Sequence, residues 1–189
     1  MLRSSETANI SLAYEDIKYK TSQDLREIYF GTQEGFFYDG LPMEEKSKIN
    51  KPNHKFPKGE SWMDVKFRAC RFLLSLQANK LQKPVLSFTH GGFISSLLYS
   101  KGHVKMPKPG SVVLVNYRNL VVNDKIEDER HNAFLSCYNE FSKMLNCADE
   151  SYDDSLFAKY NPVFERYLKD NISKVEYVYD VPDLSEEIF

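Results

Sequence analysis

The stretch PVLSFTHGGFISSLLYS, Pro84–Ser100, decides how the rest of the chain is read. Its first part, taken with the preceding lysine as KPVLSFTH (83–90), has the length and composition of a buried strand that ends at His90. Its last part, GFISSLLYS, reads as a helix packed on that strand. At their join stand His90, Gly91 and Gly92. A strand end followed by a helix start is where open α/β sheets gather functional groups. A helix N-terminus offers unpaired amide N–H groups and partial positive charge, which suit an anion. A histidine there donates hydrogen bonds and titrates near neutral pH. A tight turn alone would also call for glycine, so His-Gly-Gly by itself leaves both readings open.

Upstream, KGESWMDVKFRACRFL (58–73) starts a helix. Trp62, Val65, Ala69, Phe72, Leu73 and Leu76 recur at helical spacing, and Ser61 followed by Asp64 has the form of a capping box. The earlier LREIYFGTQEG (25–35) reads as a loop, and 38–60 as a polar surface excursion. Within that excursion Lys46, Lys48, Lys51, Lys55 and Lys58 read as a solvated lysine face rather than an anion entrance. The opening residues MLRSSETANISLAYEDI read as a short helix. GSVVLVNYRN (110–119) is a second β-rich run, so helix, strand, helix and strand alternate as in a parallel α/β layer.

The character changes near 120–125. Phe134, Cys137, Tyr138, Phe141, Met144 and Leu145 then fall on one helical face, and LFAKYNPVFERYLKD is amphipathic but broken by Pro162. A strand-like run and an acidic tail end the chain. The expected division is an α/β domain over 1–120 and a helical, acidic extension over 121–189 packed on it.

Composition narrows the function classes. The chain has 189 residues, 42% hydrophobic and 28% charged, which is a folding composition rather than a disordered one. A formal net charge of −2 gives no reason to expect nucleic acid as a partner. Three cysteines without a Cys-x-x-Cys pair argue against a disulfide framework or zinc site and fit a reducing, cytoplasmic setting. The N-terminus lacks the apolar core of a secretory signal, and the apolar run around His90 is too short to cross a bilayer.

LREIYFGTQEG, KGESWMDVKFRACRFL and PVLSFTHGGFISSLL, in this order, resemble the histidine phosphatase superfamily, also called phosphoglycerate mutase-like. LRSSETA (2–8) fits that family's early phosphate-binding segment, and the resemblance covers roughly residues 1–117. It implies a three-layer α/β/α fold with a mostly parallel central sheet. It implies phosphomonoester hydrolysis or phosphoryl transfer through a phosphohistidine, without metal or cofactor, on a small phosphorylated metabolite or a phosphoprotein. Carried onto this chain, Glu27 is the general acid and base, His90 the supporting histidine and Arg3 a phosphoryl-binding arginine. Gly91 joins His90 and Arg3 at the phosphate, and Glu60 and Ser61 fall near the substrate, although a helix cap already accounts for Ser61. The residue types suit the work: a carboxylic acid helps a poor alkoxide leave, and an arginine fork matches phosphoryl oxygens.

One part of the pattern is missing. The family's nucleophile lies in an Arg-His-Gly motif on the first strand, and no Arg-His-Gly occurs in these residues. Arg130–His131 is the nearest match, but it lies far downstream and has no following glycine. The expectation is therefore an N-terminally truncated member without turnover of its own. A catalytically inactive phospho-ligand-binding or protein-interaction module is the alternative, with self-association left open. Loss of the first strand would expose unpaired backbone and apolar surface beside the His90 segment.

Overall fold

The computed structural model describes residues 2–14, 17–35, 40–49, 51, 53–79, 84–99, 106–117, 127–145 and 153–179. In chain order these form α1 (Leu2–Leu12), two 3-10 turns (Gln23–Leu25 and Gly31–Gln33), α2 (Met43–Ile49) and α3 (Trp62–Ala78). There follow α4 (Gly91–Tyr99), β1 (Val112–Tyr117), α5 (Glu127–Leu145), α6 (Asp154–Asn171) and β2 (Ile172–Tyr179).

Helix α3 is the axis of the molecule. It starts where the sequence puts its cap: the Ser61 hydroxyl accepts from the Asp64 amide, and the Asp64 carboxylate accepts from the Ser61 amide at 2.7 Å. Its burial runs almost all the way round. Met63, Val65, Phe67, Ala69, Cys70 and Leu73 are buried, and so are the polar side chains of Asp64, Lys66, Arg68 and Gln77. A helix hydrophobic on one stripe needs one covering layer; α3 is covered on several sides, by α4, α6 and the turn at Gln23–Leu25.

The largest part of the core is aromatic and joins α3 to the later helices. Phe67 stacks on Tyr138 at 4.6 Å, and Phe134 stacks on Tyr167 at 3.8 Å. Phe164 sits edge-on to Phe67, Phe134 and Phe141. Offset and edge-to-face pairs of this kind add to simple area burial. Helix α6 does not break at Pro162 as its sequence suggests; it is continuous from Asp154 to Asn171. A proline removes one intrahelical hydrogen bond. Tyr160, Phe164, Tyr167 and Leu168, buried on both sides of it, hold the two halves on one axis.

The expected mostly parallel sheet is not what the described residues form. They contain a two-stranded sheet, with β1 antiparallel to β2 and Val115 opposite Val175. Val113, Val115 and Tyr117 of β1 are half-buried, while Val112 and Leu114 face out. Residues 84–90, within the stretch read as a buried strand, carry no strand pairing, and Val85 and Leu86 are 40% and 69% exposed. The physical reason is that apolar composition reports a preference for burial, whereas a strand exists only when a neighbour accepts and donates its ladder hydrogen bonds. The expected boundary near 120–125 and the acidic tail beyond residue 179 lie outside the described residues.

Candidate functional site

Helix α4 begins directly after His90, whose carbonyl accepts from the Ile94 amide at 3.1 Å and so opens the helix. This puts the imidazole at the helix N-terminus, where it is 8% exposed. The hydroxyl of Ser4, on α1, lies 3.2 Å from His90 Nε2. Burial lowers the His90 pKa from its ordinary value; Glu27 pulls it back up, and Arg3 pushes it further down. His90 is therefore biased toward the neutral imidazole, with one N–H donor and one acceptor nitrogen.

Glu27 reaches the same place from the loop after the first 3-10 turn. Its Oε1 accepts from the Ile28 amide at 3.0 Å, and its Oε2 accepts from the Gly92 amide at 3.3 Å. Gly92 leaves room for that carboxylate: a Cβ on it would collide with Glu27 Oε1, which would have to move aside, and would stand 3.4 Å from the Trp62 ring. Gly91 is less constrained, since a Cβ there would stand 3.2 Å from the flexible Met106 side chain and at an ordinary 3.5 Å from the Pro107 carbonyl oxygen.

Arg3 lies on the exposed side of α1, with its carbonyl accepting from Thr7 Oγ1 at 2.9 Å. It acts on the His90 charge, so α1 contributes both a hydroxyl contact and a cation to the neighbourhood of His90. The fold thus brings three chain-distant segments together: α1, the Glu27 loop and the start of α4.

Glu60 and Ser61 have other work. Glu60 Oε1 accepts from Arg26 Nη2 at 2.8 Å and Arg68 Nε at 2.8 Å, and Oε2 accepts from Arg68 Nη2 at 3.0 Å and the Tyr29 amide at 3.0 Å. Burial by itself would raise the Glu60 pKa, but Arg68 and Arg26 outweigh it and hold the carboxyl below its ordinary range. Ser61 is fully buried in its cap. Both side chains are bonded into the scaffold. Beside them a cleft of about 250 Å³ is lined by Arg26, Lys55, Arg68, Arg71 and the carboxylates of Glu60 and Asp64.

Three residues at or beside this site have no signal in the sequence read alone. Ser4 contacts His90, and Thr89 donates to the Leu25 carbonyl at 2.6 Å. Arg68 holds the Glu27 loop from beneath. Serine, threonine and arginine in these positions look like ordinary helix and strand residues until the chain is folded. Among the described residues no cluster of histidine, cysteine, aspartate or glutamate is arranged to hold a metal, and no helix is long and apolar enough to cross a membrane.

Residues 1–122 match the family model of the histidine phosphatase superfamily, branch 1, and the chain belongs to that family. Among solved structures it is similar to the crystal structure of TTHB049 from Thermus thermophilus, at 28% identity over 61% of this chain and 66% of that one, with a TM-score of 0.48. It is also similar to the crystal structure of a phosphoglycerate mutase from Thermus thermophilus, at 28% identity, the same coverage and a TM-score of 0.47. The chain thus spans 66% of the length of these structures. No curated protein matches it.

Proposed function

We propose that Glu27, His90 and Arg3 form the acid–base and phosphoryl-holding part of a phosphohistidine-type site, and that this chain binds a phosphoryl group without transferring it. The observation that carries the reading is the convergence of the Glu27 carboxylate and the His90 imidazole on the N-terminus of α4, within electrostatic reach of Arg3. The ligand class is a small phosphorylated metabolite or a phosphoprotein side chain, in a cytoplasmic setting.

The assigned roles follow from the groups. A phosphoryl dianion beside His90 and Arg3 meets two donors and the positive end of α4. His90, neutral when empty, takes up a proton as the dianion arrives, because the imidazolium then has a counter-charge. Glu27, when protonated, can donate to the ester oxygen, which is the position a general acid needs. Phosphoryl transfer would additionally need an attacking histidine. The motif that supplies it in the family, Arg-His-Gly, does not occur in these residues.

Isothermal titration of the 189-residue chain with inorganic phosphate tests the reading, alongside an assay with a chromogenic phosphomonoester. Binding that disappears in His90→Ala, with no turnover, is the expected result. Appreciable hydrolysis that survives both His90→Ala and Glu27→Ala would overturn it, as would an absence of phosphate binding.

A further inference from the structure

The loop that carries Glu27 has little regular structure, yet it is gripped from two sides. Arg68, 3% exposed on α3, donates from Nη1 to the carbonyls of Asp24 at 2.6 Å and Arg26 at 3.1 Å. From Nη2 it donates to the carbonyl of Glu27 at 3.4 Å. The carbonyl between these, Leu25, is taken by the hydroxyl of Thr89, the residue immediately before His90. The backbone carbonyls of residues 24 to 27 are therefore all held by side chains from elsewhere in the fold.

The far side of the loop is held as well. Glu60 fixes the Arg68 guanidinium through Nε and Nη2, accepts from the Tyr29 amide, and donates its own amide to the Tyr29 carbonyl at 2.8 Å. Between these two grips the chain has little freedom to turn. The Glu27 carboxylate is left facing the Ile28 and Gly92 amides. A loop closed only for stability would need some of these bonds. What points further is that the grip is centred on the residue whose carboxylate reaches α4, and that one of its anchors, Thr89, belongs to the segment that carries His90.

We propose that Arg68 and Thr89 are positioning residues for Glu27, Arg68 fixing the loop to α3 and Thr89 fixing it to the His90 segment, so that carboxylate and imidazole are set by one rigid frame. The word positioning rests on the reading of Glu27 as the acid–base group; the frame itself is measurable without it. Arginine is suited to this work because its planar fork serves several acceptors at once, which a lysine cannot do.

The test is solution NMR on the full chain, following the Gly92 amide proton as pH is carried through the ionisation of Glu27. The wild type is expected to show an inflection that Glu27→Gln abolishes. Thr89→Val keeps the shape of the side chain and removes the tether, and Arg68→Lys keeps the charge and removes the fork. Each is expected to cut the amplitude by about half or more, because a hydrogen bond weakens steeply as its length and angle degrade. Thr89→Ser is expected to restore it. Should Arg68→Lys fail to fold, the two Thr89 variants decide. Full amplitude in Thr89→Val, or no inflection in the wild type, overturns the proposal. Phosphate titration separates this from the functional reading: an intact NMR effect with no phosphate binding leaves the frame standing and removes its phosphoryl role.

Discussion

Glu27 Oε2 accepts a hydrogen bond from the Gly92 amide at 3.3 Å, across 65 residues of sequence. This one contact joins the loop after the first 3-10 turn to the N-terminus of α4. It places a carboxylate at the end of a helix whose dipole favours negative charge. The same amide would be a natural donor to a bound anion. A ligand that enters here therefore competes with Glu27 for Gly92 or arrives when Glu27 is protonated.

Gly92→Ala tests that relationship directly. Its Cβ would collide with Glu27 Oε1, the mobile end of a side chain rather than backbone. The cost in stability is therefore expected to stay within about 1 kcal/mol, partly offset by the better helix propensity of alanine. The carboxylate, however, must swing away. Since Glu27 raises the His90 pKa, the His90 titration midpoint followed by NMR should fall. An unmoved midpoint would show that Glu27 has room to stay.

The pH dependence of anion binding follows from His90. Its folded pKa lies below the ordinary 6.5, so the His90 imidazole of the empty site is neutral at pH 7. Sulfate keeps a fixed charge in this range and prefers the imidazolium. Sulfate affinity should therefore rise as pH falls below 6.5, by at most about tenfold per pH unit for one linked proton, and should lose that slope in His90→Gln. Calorimetry at a series of pH values reads it.

Glu60 predicts an acid limit to stability. Its folded pKa is held below the ordinary 4.5, so its contribution is fully present above that value and is lost as pH falls through the lower, folded one. At neutral pH Glu60→Gln should cost about 3–5 kcal/mol, because it leaves the Arg68 charge buried without its counter-ion. In urea unfolding at decreasing pH, the gap between wild type and variant should narrow. A constant gap down to the acid limit would mean that the carboxylate charge is not what Arg68 requires.

Phe164→Ala tests whether α6 shares its core with α3. Phe164 is fully buried and rings Phe67, Phe134, Phe141 and Tyr160. The substitution should cost about 3–5 kcal/mol in denaturant unfolding and shift a single transition rather than split it. A second, separate transition would show that the later helices fold on their own.

Some of this could be read before folding. Ser61 and Asp64 announce the start of α3 because a cap is made by residues three apart, and local chemistry suffices. The apolar faces of α5 and α6 are likewise periodic. His90 and Glu27 stand out because they sit in short motifs whose order and spacing are specific. Pro162 misleads, since its cost is local while the burial that overrides it is not.

The rest needed three dimensions. The run before His90 is apolar enough for a strand, but pairing is a property of two segments, and in the described residues the paired strands are Val112–Tyr117 and Ile172–Tyr179. Arg68 and Thr89 act on backbone carbonyls 41 to 64 residues away, and a carbonyl has no letter in the sequence. By itself, then, the sequence determined the starts of α3 and α4 and the apolar faces of α3 and α5, because these depend on neighbours along the chain, whereas α2 (Met43–Ile49) formed inside a stretch that reads as a loop. Tertiary structure alone decided which strands pair, how the Glu27 carboxylate meets the α4 amide, and what holds it there. Those depend on bonds between segments that only folding brings within about 3.5 Å of one another.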